Sequence, residues 1–452
     1  MDPSTIFSHD HHGQTTLHPL ALVVMVALGV AMLVVRRQYA IWPIIIMLCF
    51  LPSAQRVVVG GLDFTLLRVL ILFGWARLLM RGETSGLVWH RLDTIFVIWL
   101  VPQSLFPVLD TGGLLLVNRA GLIYDAAGLY FLFRCLIRDW EDLRRCVYCL
   151  AYCSIPSAAI FLIEWTTGRN MFAVFGGVPE ITHMRDGRLR CQGPFAHAIL
   201  AGVFWASVLP MIASLLWEKR PKRVLIYASI VSVLVIVVTC SSATPVMAVA
   251  FGALGCGMWL VRRWMTPIRW SVAIGLVALH FVMQAPVWHL ITRIDVVGGE
   301  SYHRYRLIQA AIDHAHEWWF IGSRAGTGHW GHMLYDVTNY YIVQGLHGGV
   351  LQVALLAILF TIAFGSVGRV VRSVHPDRTR QIYMWAVGVS LFTHAMSFIA
   401  VSYFGQLMTM FYLDLAIIGS LGVLCASRRR RRSPRAVVVP QASPVASPVS
   451  AS

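Results

Sequence analysis

Apolar residues recur along this chain in blocks that, as helices, are long enough to cross about 30 Å of hydrocarbon. They lie near 18–35, 39–55, 62–80, 92–109, 114–133, 146–165, 196–216, 224–240, 245–261, 268–286, 346–366, 382–400 and 404–425. Lipid offers no partner to open backbone groups, so each block is predicted to be helical. The second is the weakest, because Pro43 and Pro52 interrupt it. The pattern predicts an all-α fold: a polytopic membrane helix bundle of about 12–13 spans over 18–425. A short segment, 1–17, precedes it, and a polybasic, Pro/Ser-rich tail expected to be disordered, 426–452, follows.

Two connections stand out. Residues 166–195 separate the sixth and seventh blocks, and the long stretch 287–345 separates the tenth and eleventh. Within the latter, "RYRLIQAAIDHAHEWWF" has Leu307, Ala311, His314 and Trp318 on one helical face and predicts a short amphipathic helix. Trp318 and Trp319 suit a membrane interface. "GSRAGTGHWGH" follows as a glycine-rich turn region. There is no internal repeat.

Composition agrees with the pattern. The chain is 57% hydrophobic and 13% charged, where soluble domains carry about 25% charged residues. A formal net charge of +16 would suggest nucleic acid in a soluble chain. In a membrane chain it predicts basic span ends facing anionic lipid, and no nucleic acid. Cys146, Cys149 and Cys153 form one stripe of a span and read as a packed face. Cys191 has no evident partner, and no disulfide framework is visible. The N-terminus lacks the basic region and cleavage site of a signal peptide.

Charge also gives an orientation. Alternate connections hold Arg36–Arg37; Arg77, Arg81 and Arg91; Arg134 to Arg145; "WEKRPKR"; "RRWMTPIR"; Arg369 to Arg380; and the "RRRRR" tail. Together these hold 26 of the 37 basic residues. They are expected to be cytoplasmic, with the C-terminus inside and the N-terminus outside. The exceptions are informative: Arg169, Arg185, Arg188 and Arg190 lie in 166–195, and Arg293, Arg304, Arg306 and Arg324 in 287–345. Both loops fall outside, against the positive-inside trend.

Arginine presents a planar fork that matches phosphate and stays charged. Two outward arginine-bearing loops therefore suggest a clamp for a pyrophosphate. In a bacterial envelope this would be an undecaprenyl-diphosphate-linked sugar, whose leaving diphosphate the clamp would stabilise. The plainer alternative is that the arginines bind lipid headgroups or pair with Glu180, Asp186, Asp295 or Glu300. His197, His303, His314, His316, His329 and His332 lie near these loops. One could deprotonate an acceptor hydroxyl, or all could be interfacial. The spacing of His314 and His316 argues against a metal pair on one helical face, and His9, His11 and His12 read as disordered. Inside the spans Asp125, Asp414, His280 and His394 need a cavity or a partner, with Arg68 a candidate partner for Asp414.

These residues resemble a known family. "RLRCQGPFAHAILAG" (188–202) looks like the Arg-x-x-Gly-x-Phe-x-His-Pro segment of the O-antigen ligase and polysaccharide polymerase family, with Arg190, Gly193, Phe195 and His197 in register and Ala198 in place of the proline. "RYRLIQAAIDHAHEWWFIGSRAG" is similar to the family's arginine–helix–Gly-x-Gly segment, with Arg304 or Arg306 as its arginine. "DVTNYYIVQGLHGGVL" resembles a third segment through Asn339, Tyr341, Gly345 and Gly348. Thr338 stands where the family's ligases carry a histidine, so ligase activity is less expected than polymerisation.

The resemblance implies an inverting, metal-independent glycosyltransferase of the C type, without cofactor, in the bacterial inner membrane. It would transfer an undecaprenyl-diphosphate-linked oligosaccharide to an acceptor glycan on the periplasmic face, in exopolysaccharide or O-antigen polymerisation. Expected catalytic residues are Arg190, Arg304, Arg306, His329, His332 and Asp336. Arg185, Arg188, His197, Arg324, Asn339 and Tyr341 would contact substrate. Partners would be the lipid-linked glycan, the acceptor glycan, membrane lipids and other polysaccharide assembly proteins. The alternatives are a ligase to lipid A core, a polysaccharide flippase or other transporter, and an inactive partner in an envelope complex.

Overall fold

The computed structural model describes residues 15–60, 62–111, 116–293, 301–323 and 326–432, and of 108–111 and 428–432 the backbone alone. It is 75% helical with almost no sheet, a membrane-embedded helical protein. The chain runs through α1 (Pro19–Val34), α2 (Trp42–Phe50), the hairpin β1 (Arg56–Val59) and β2 (Leu62–Thr65), α3 (Leu66–Met80), α4 (Arg91–Thr111), α5 (Leu116–Leu136) and α6 (Trp140–Thr167). After a two-residue hairpin, β3 (Met184–Arg185) and β4 (Arg188–Leu189), come α7 (Ala198–Ser214), α8 (Arg223–Thr239), α9 (Ala243–Gly257) and α10 (Met265–Val282). Two short helices, α11 (Ser301–Asp313) and α12 (Ala315–Trp318), precede α13 (Tyr340–Ser373), α14 (Arg378–Ser397) and α15 (Gly405–Arg432). Among the described residues five helices are long and apolar enough to cross a membrane: Trp140–Thr167, Ala198–Trp217, Arg262–Val282, Tyr340–Ser373 and Gly405–Ser427.

Local chemistry sets many of the boundaries. Asp139 accepts from the Glu141 and Asp142 N–H groups at the start of α6, and Asp377 caps α14. Gly168, in the left-handed region, ends α6. Where one apolar block was expected over 39–55, α2 is only nine residues, about 14 Å of helix and too short to span alone. Pro43 starts this helix rather than interrupting it. The chain then continues through a turn at Ser53–Ala54 into β1, sheathed by protein, Leu51, Pro52, Ala54, Gln55 and Arg56 being buried. At the other end α15 runs to Arg432, past the expected boundary at 425. Residues 433–452, like most of the N-terminal segment, lie outside the described residues.

Helices α7, α14 and α15 form the centre of the bundle, with large buried side chains such as Trp205, Phe204, Phe398 and Phe411 between them. By contrast α10 buries no residue at all and exposes Val272, Ile274, Val277 and Phe281.

The connections sort into two ends. At one, Arg37 reaches Asp142 (2.6 Å) and the Leu136 carbonyl (2.7 Å). Arg77 pairs with Glu83 (2.9 Å) and Arg134 with Asp93 (2.8 Å), while Glu218 gathers Arg144 and the hydroxyls of Tyr148 and Tyr383. The basic connections around Arg37, Arg77, Arg134 to Arg145 and Glu218 therefore share one end of the bundle, where Arg37, Arg77, Arg134 and Arg144 pair with acids. At the other end Thr16 pairs with Arg56, Gln55 donates to the Phe175 carbonyl (2.6 Å) and Gln406 to that of Pro194 (3.1 Å). Loop 166–195 and the described parts of 287–345 belong to this end. Within the bundle Arg68 makes a two-oxygen contact with Asp125 (2.8 and 2.9 Å), not with Asp414. Asp414 lies 3.6 Å from His394, both fully buried.

Candidate functional site

The segment matching the first family motif is folded around one residue that spacing did not single out. Glu164, in the last turn of α6 and fully buried, accepts from the backbone N–H groups of Gln192 (3.1 Å) and Gly193 (2.9 Å) and from the Thr182 hydroxyl (3.0 Å). Asn170 holds the same loop through the Gly193 carbonyl (2.8 Å). Gly193 has φ +55°, and a Cβ there would lie 2.5 Å from the Phe161 ring, so only glycine fits. Phe195 is buried, and the His197 side chain caps α7 by accepting from the Ile199 N–H (3.2 Å). Burial pushes the Cys191 thiol up to about 12, which keeps it protonated.

Glu164→Ala is predicted to orphan these donors at a cost of about 1–3 kcal/mol each. Trypsin should then cut the exposed Arg185 and Arg188 several times faster than in the parent. An unchanged digestion rate would mean that the loop is held without Glu164.

The arginines divide by environment. Arg185 and Arg188 sit opposite each other on the exposed β3–β4 hairpin, whose turn uses Asp186 (φ 51°) and Gly187 (φ 73°). Arg185 contacts Asp186 at 3.7 Å and Arg169 contacts Glu180 at 3.2 Å, all four exposed. Arg190 is different: it is 6% exposed, and its N–H donates to the His183 carbonyl (2.9 Å). The next residue, Cys191, donates to the Thr239 carbonyl (3.1 Å) at the end of α8. Arg304, from α11, reaches Thr244 Oγ1 (2.8 Å) in the first turn of α9. The backbone beside Arg190 and the side chain of Arg304 therefore reach the same α8–α9 turn, although 114 residues separate the two arginines in sequence.

Arg306 lines a neighbouring cleft of about 200 Å³ with Tyr305, Gln309, Asp313, His314, Trp330 and Leu334. Its floor is a small apolar core of Leu307, Ala310, Ala311, Trp330 and Leu334. The far end of this loop is seated in a break in α13. At Gly348 and Gly349 (φ 67°) the helical conformation is lost. There the Val350 N–H donates to the Trp319 carbonyl (2.8 Å) and the Ser323 N–H to that of Leu346 (2.9 Å). A Cβ on Gly349 would lie 2.3 Å from the Phe320 carbonyl oxygen. The glycines of the third motif are thus a socket for the second loop.

The remaining expected site residues spread out. His329 is tied to Glu317 (Nε2 to Oε2, 2.8 Å), while His332 and Asp336 are exposed on the approach to α13. Asn339 and Tyr341 are engaged within the fold. Asn339 caps α13, accepting from the N–H groups of Tyr341 and Ile342. The Tyr341 hydroxyl donates to the Ala395 carbonyl (2.9 Å). Arg324, with Asp295 and Glu300, lies outside the described residues. No protein-family model matches the chain, and no curated protein matches it.

Proposed function

We propose that the chain is an inner-membrane glycan polymerase that transfers an undecaprenyl-diphosphate-linked oligosaccharide to an acceptor glycan on the periplasmic side. Twelve or thirteen crossings, with the C-terminus cytoplasmic, go with this proposal. The observation that carries it is that two separate loops reach one short turn, Cys191, next to Arg190, bonding to Thr239 at the end of α8 and Arg304 to Thr244 at the start of α9. Two guanidinium forks converging there would suit a diphosphate, whose two phosphoryl groups carry the charge that develops as it leaves. Arg306, in the adjacent cleft, would bind the glycan end of the donor.

In the reaction the acceptor hydroxyl oxygen bonds to the anomeric carbon from the face opposite the diphosphate. The bond from that carbon to the diphosphate oxygen breaks, and the configuration inverts. The hydroxyl proton passes to a base. With His329 engaged by Glu317, the exposed Asp336, two residues before Thr338, is the group we assign to this step. The reaction needs no metal or cofactor.

The test is direct. Purified chain in liposomes, supplied with an undecaprenyl-diphosphate oligosaccharide, should lengthen the glycan and release one undecaprenyl diphosphate per unit added. Products that form only when lipid A core is added would make it a ligase. Movement of donor across the bilayer with no new glycosidic bond would make it a transporter.

A further inference from the structure

Helix α11 ends at Asp313, and the chain turns at His314 into the single turn α12, which carries Glu317. Ten residues after α12 it returns through a 3-10 turn, Gly328–Trp330. That return sets His329 beside Glu317. His314 Nδ1 lies 2.6 Å from Glu317 Oε1, and His329 Nε2 lies 2.8 Å from Glu317 Oε2. The three ligand atoms are all within 4.8 Å of one another. The imidazole of His314 stacks on Trp330 (5.4 Å, 12°) and meets that of His329 edge-on (5.5 Å, 88°). Trp330, 8% exposed, also donates its indole N–H to Glu317 Oε2 (3.0 Å). Its donation, with that of the two imidazoles, holds the Glu317 carboxyl well below the usual carboxylate range.

We propose that His314, Glu317 and His329 bind a divalent transition metal of the zinc class. Two imidazoles and one carboxylate are a three-ligand zinc set that leaves a fourth position open. With metal–ligand bonds of about 2.0–2.2 Å, tetrahedral ligands lie about 3.3 Å apart. The two imidazole–carboxylate spacings would widen by about 0.5–0.7 Å, and the imidazole–imidazole spacing, within 4.8 Å, would settle to the same value, to admit the ion. The cation would take the place of the two protons that the imidazoles share with Glu317. Side-chain exposures of 30%, 22% and 44% leave solvent access for entry and for a water in the fourth position. The Trp330 indole supplies the outer hydrogen bond that orients a ligating carboxylate. The ligands come from a helix end, the following turn and a later reversal, so a bound ion staples the outer loop beside the cleft that Arg306 lines. This goes beyond glycan transfer, which the arginine pair supports with or without the ion.

The experiment uses the full chain, purified through a histidine-free tag, stripped with chelator and titrated with Co²⁺ as a visible probe. One cobalt per chain with tetrahedral visible bands is expected, displaced by Zn²⁺. Glu317→Gln and His329→Ala should abolish it, and Trp330→Phe should weaken it about 10-fold or more. Replacing His9, His11 and His12 with alanine should leave it unchanged. His329→Cys guards against a folding artefact: it keeps cobalt and adds a thiolate-to-cobalt band only if residue 329 is a ligand. The proposal is overturned if cobalt stays in the visible spectrum of free ion. Binding that survives both Glu317→Gln and His329→Ala, or that vanishes with the N-terminal histidines, overturns it equally.

Discussion

Changing Arg190 to alanine is expected to lower glycan transfer by about 10²–10³-fold, the usual loss when one fixed donor to a developing negative charge is removed. Arg190 is the best placed of the arginines in these two loops for the proposed role. It is almost fully buried, its loop is pinned at Glu164 and Thr239, and the partner loop brings Arg304 to the same turn. A guanidinium held this way does not reorganise when charge appears on the leaving diphosphate. Arg190→Lys keeps the charge but loses the planar two-donor fork, so an intermediate loss is expected. By the same reasoning Arg185→Ala and Arg188→Ala, on the exposed hairpin, should change activity less than about threefold, because exposed charges are solvent-screened. The measurement is undecaprenyl diphosphate release by purified variants, with insertion checked by immunoblot. If Arg190→Ala turns over at the parental rate, the clamp is not there.

The sequence made the helices legible because lipid leaves the backbone no alternative. All thirteen apolar blocks overlap a helix, and the basic connections around Arg37, Arg77, Arg134 to Arg145 and Glu218 gather at one end of the bundle. The exception, α2, shows the limit. An apolar run can be satisfied by a short helix plus a turn and strand when protein sheathes it, and residue type does not distinguish the two. The first motif could be read locally because its constraints are local: Gly193 against Phe161, Phe195 in the core, His197 as a cap. What spacing could not give are pairings across long separations. Glu164 meets Gln192 and Gly193 through a loop reversal, and Arg68 finds Asp125 57 residues away. Helical periodicity set His314 against His316 and found no common face. The histidine that does meet His314 is His329, which arrives from a turn that periodicity does not describe.

The largest stability effect is expected at the paired end of the bundle, where Asp93→Ala should cost about 3–5 kcal/mol. Asp93 is fully buried and Arg134 is 4% exposed. Arg134 donates to both carboxylate oxygens of Asp93 (2.8 and 2.9 Å), to Ser420 Oγ (2.9 Å) and to the Val88 carbonyl (2.8 Å). Asp93 also receives the Tyr130 hydroxyl (2.5 Å) and the His90 N–H (2.7 Å). One ion pair thus ties α4, α5 and α15 together. Removing the carboxylate strands a guanidinium among apolar helices, and the penalty is the uncompensated charge more than the lost contact. A second change tests that cause. Arg134→Met on the Asp93→Ala background removes the stranded charge and should recover most of the loss, as replacing a whole buried pair with apolar groups generally does. Thermal unfolding of the detergent-purified single and double variants measures both. Equal destabilisation in the two would mean that the hydrogen bonds Asp93 accepts from Tyr130 and His90, rather than the charge balance, hold this end of the bundle.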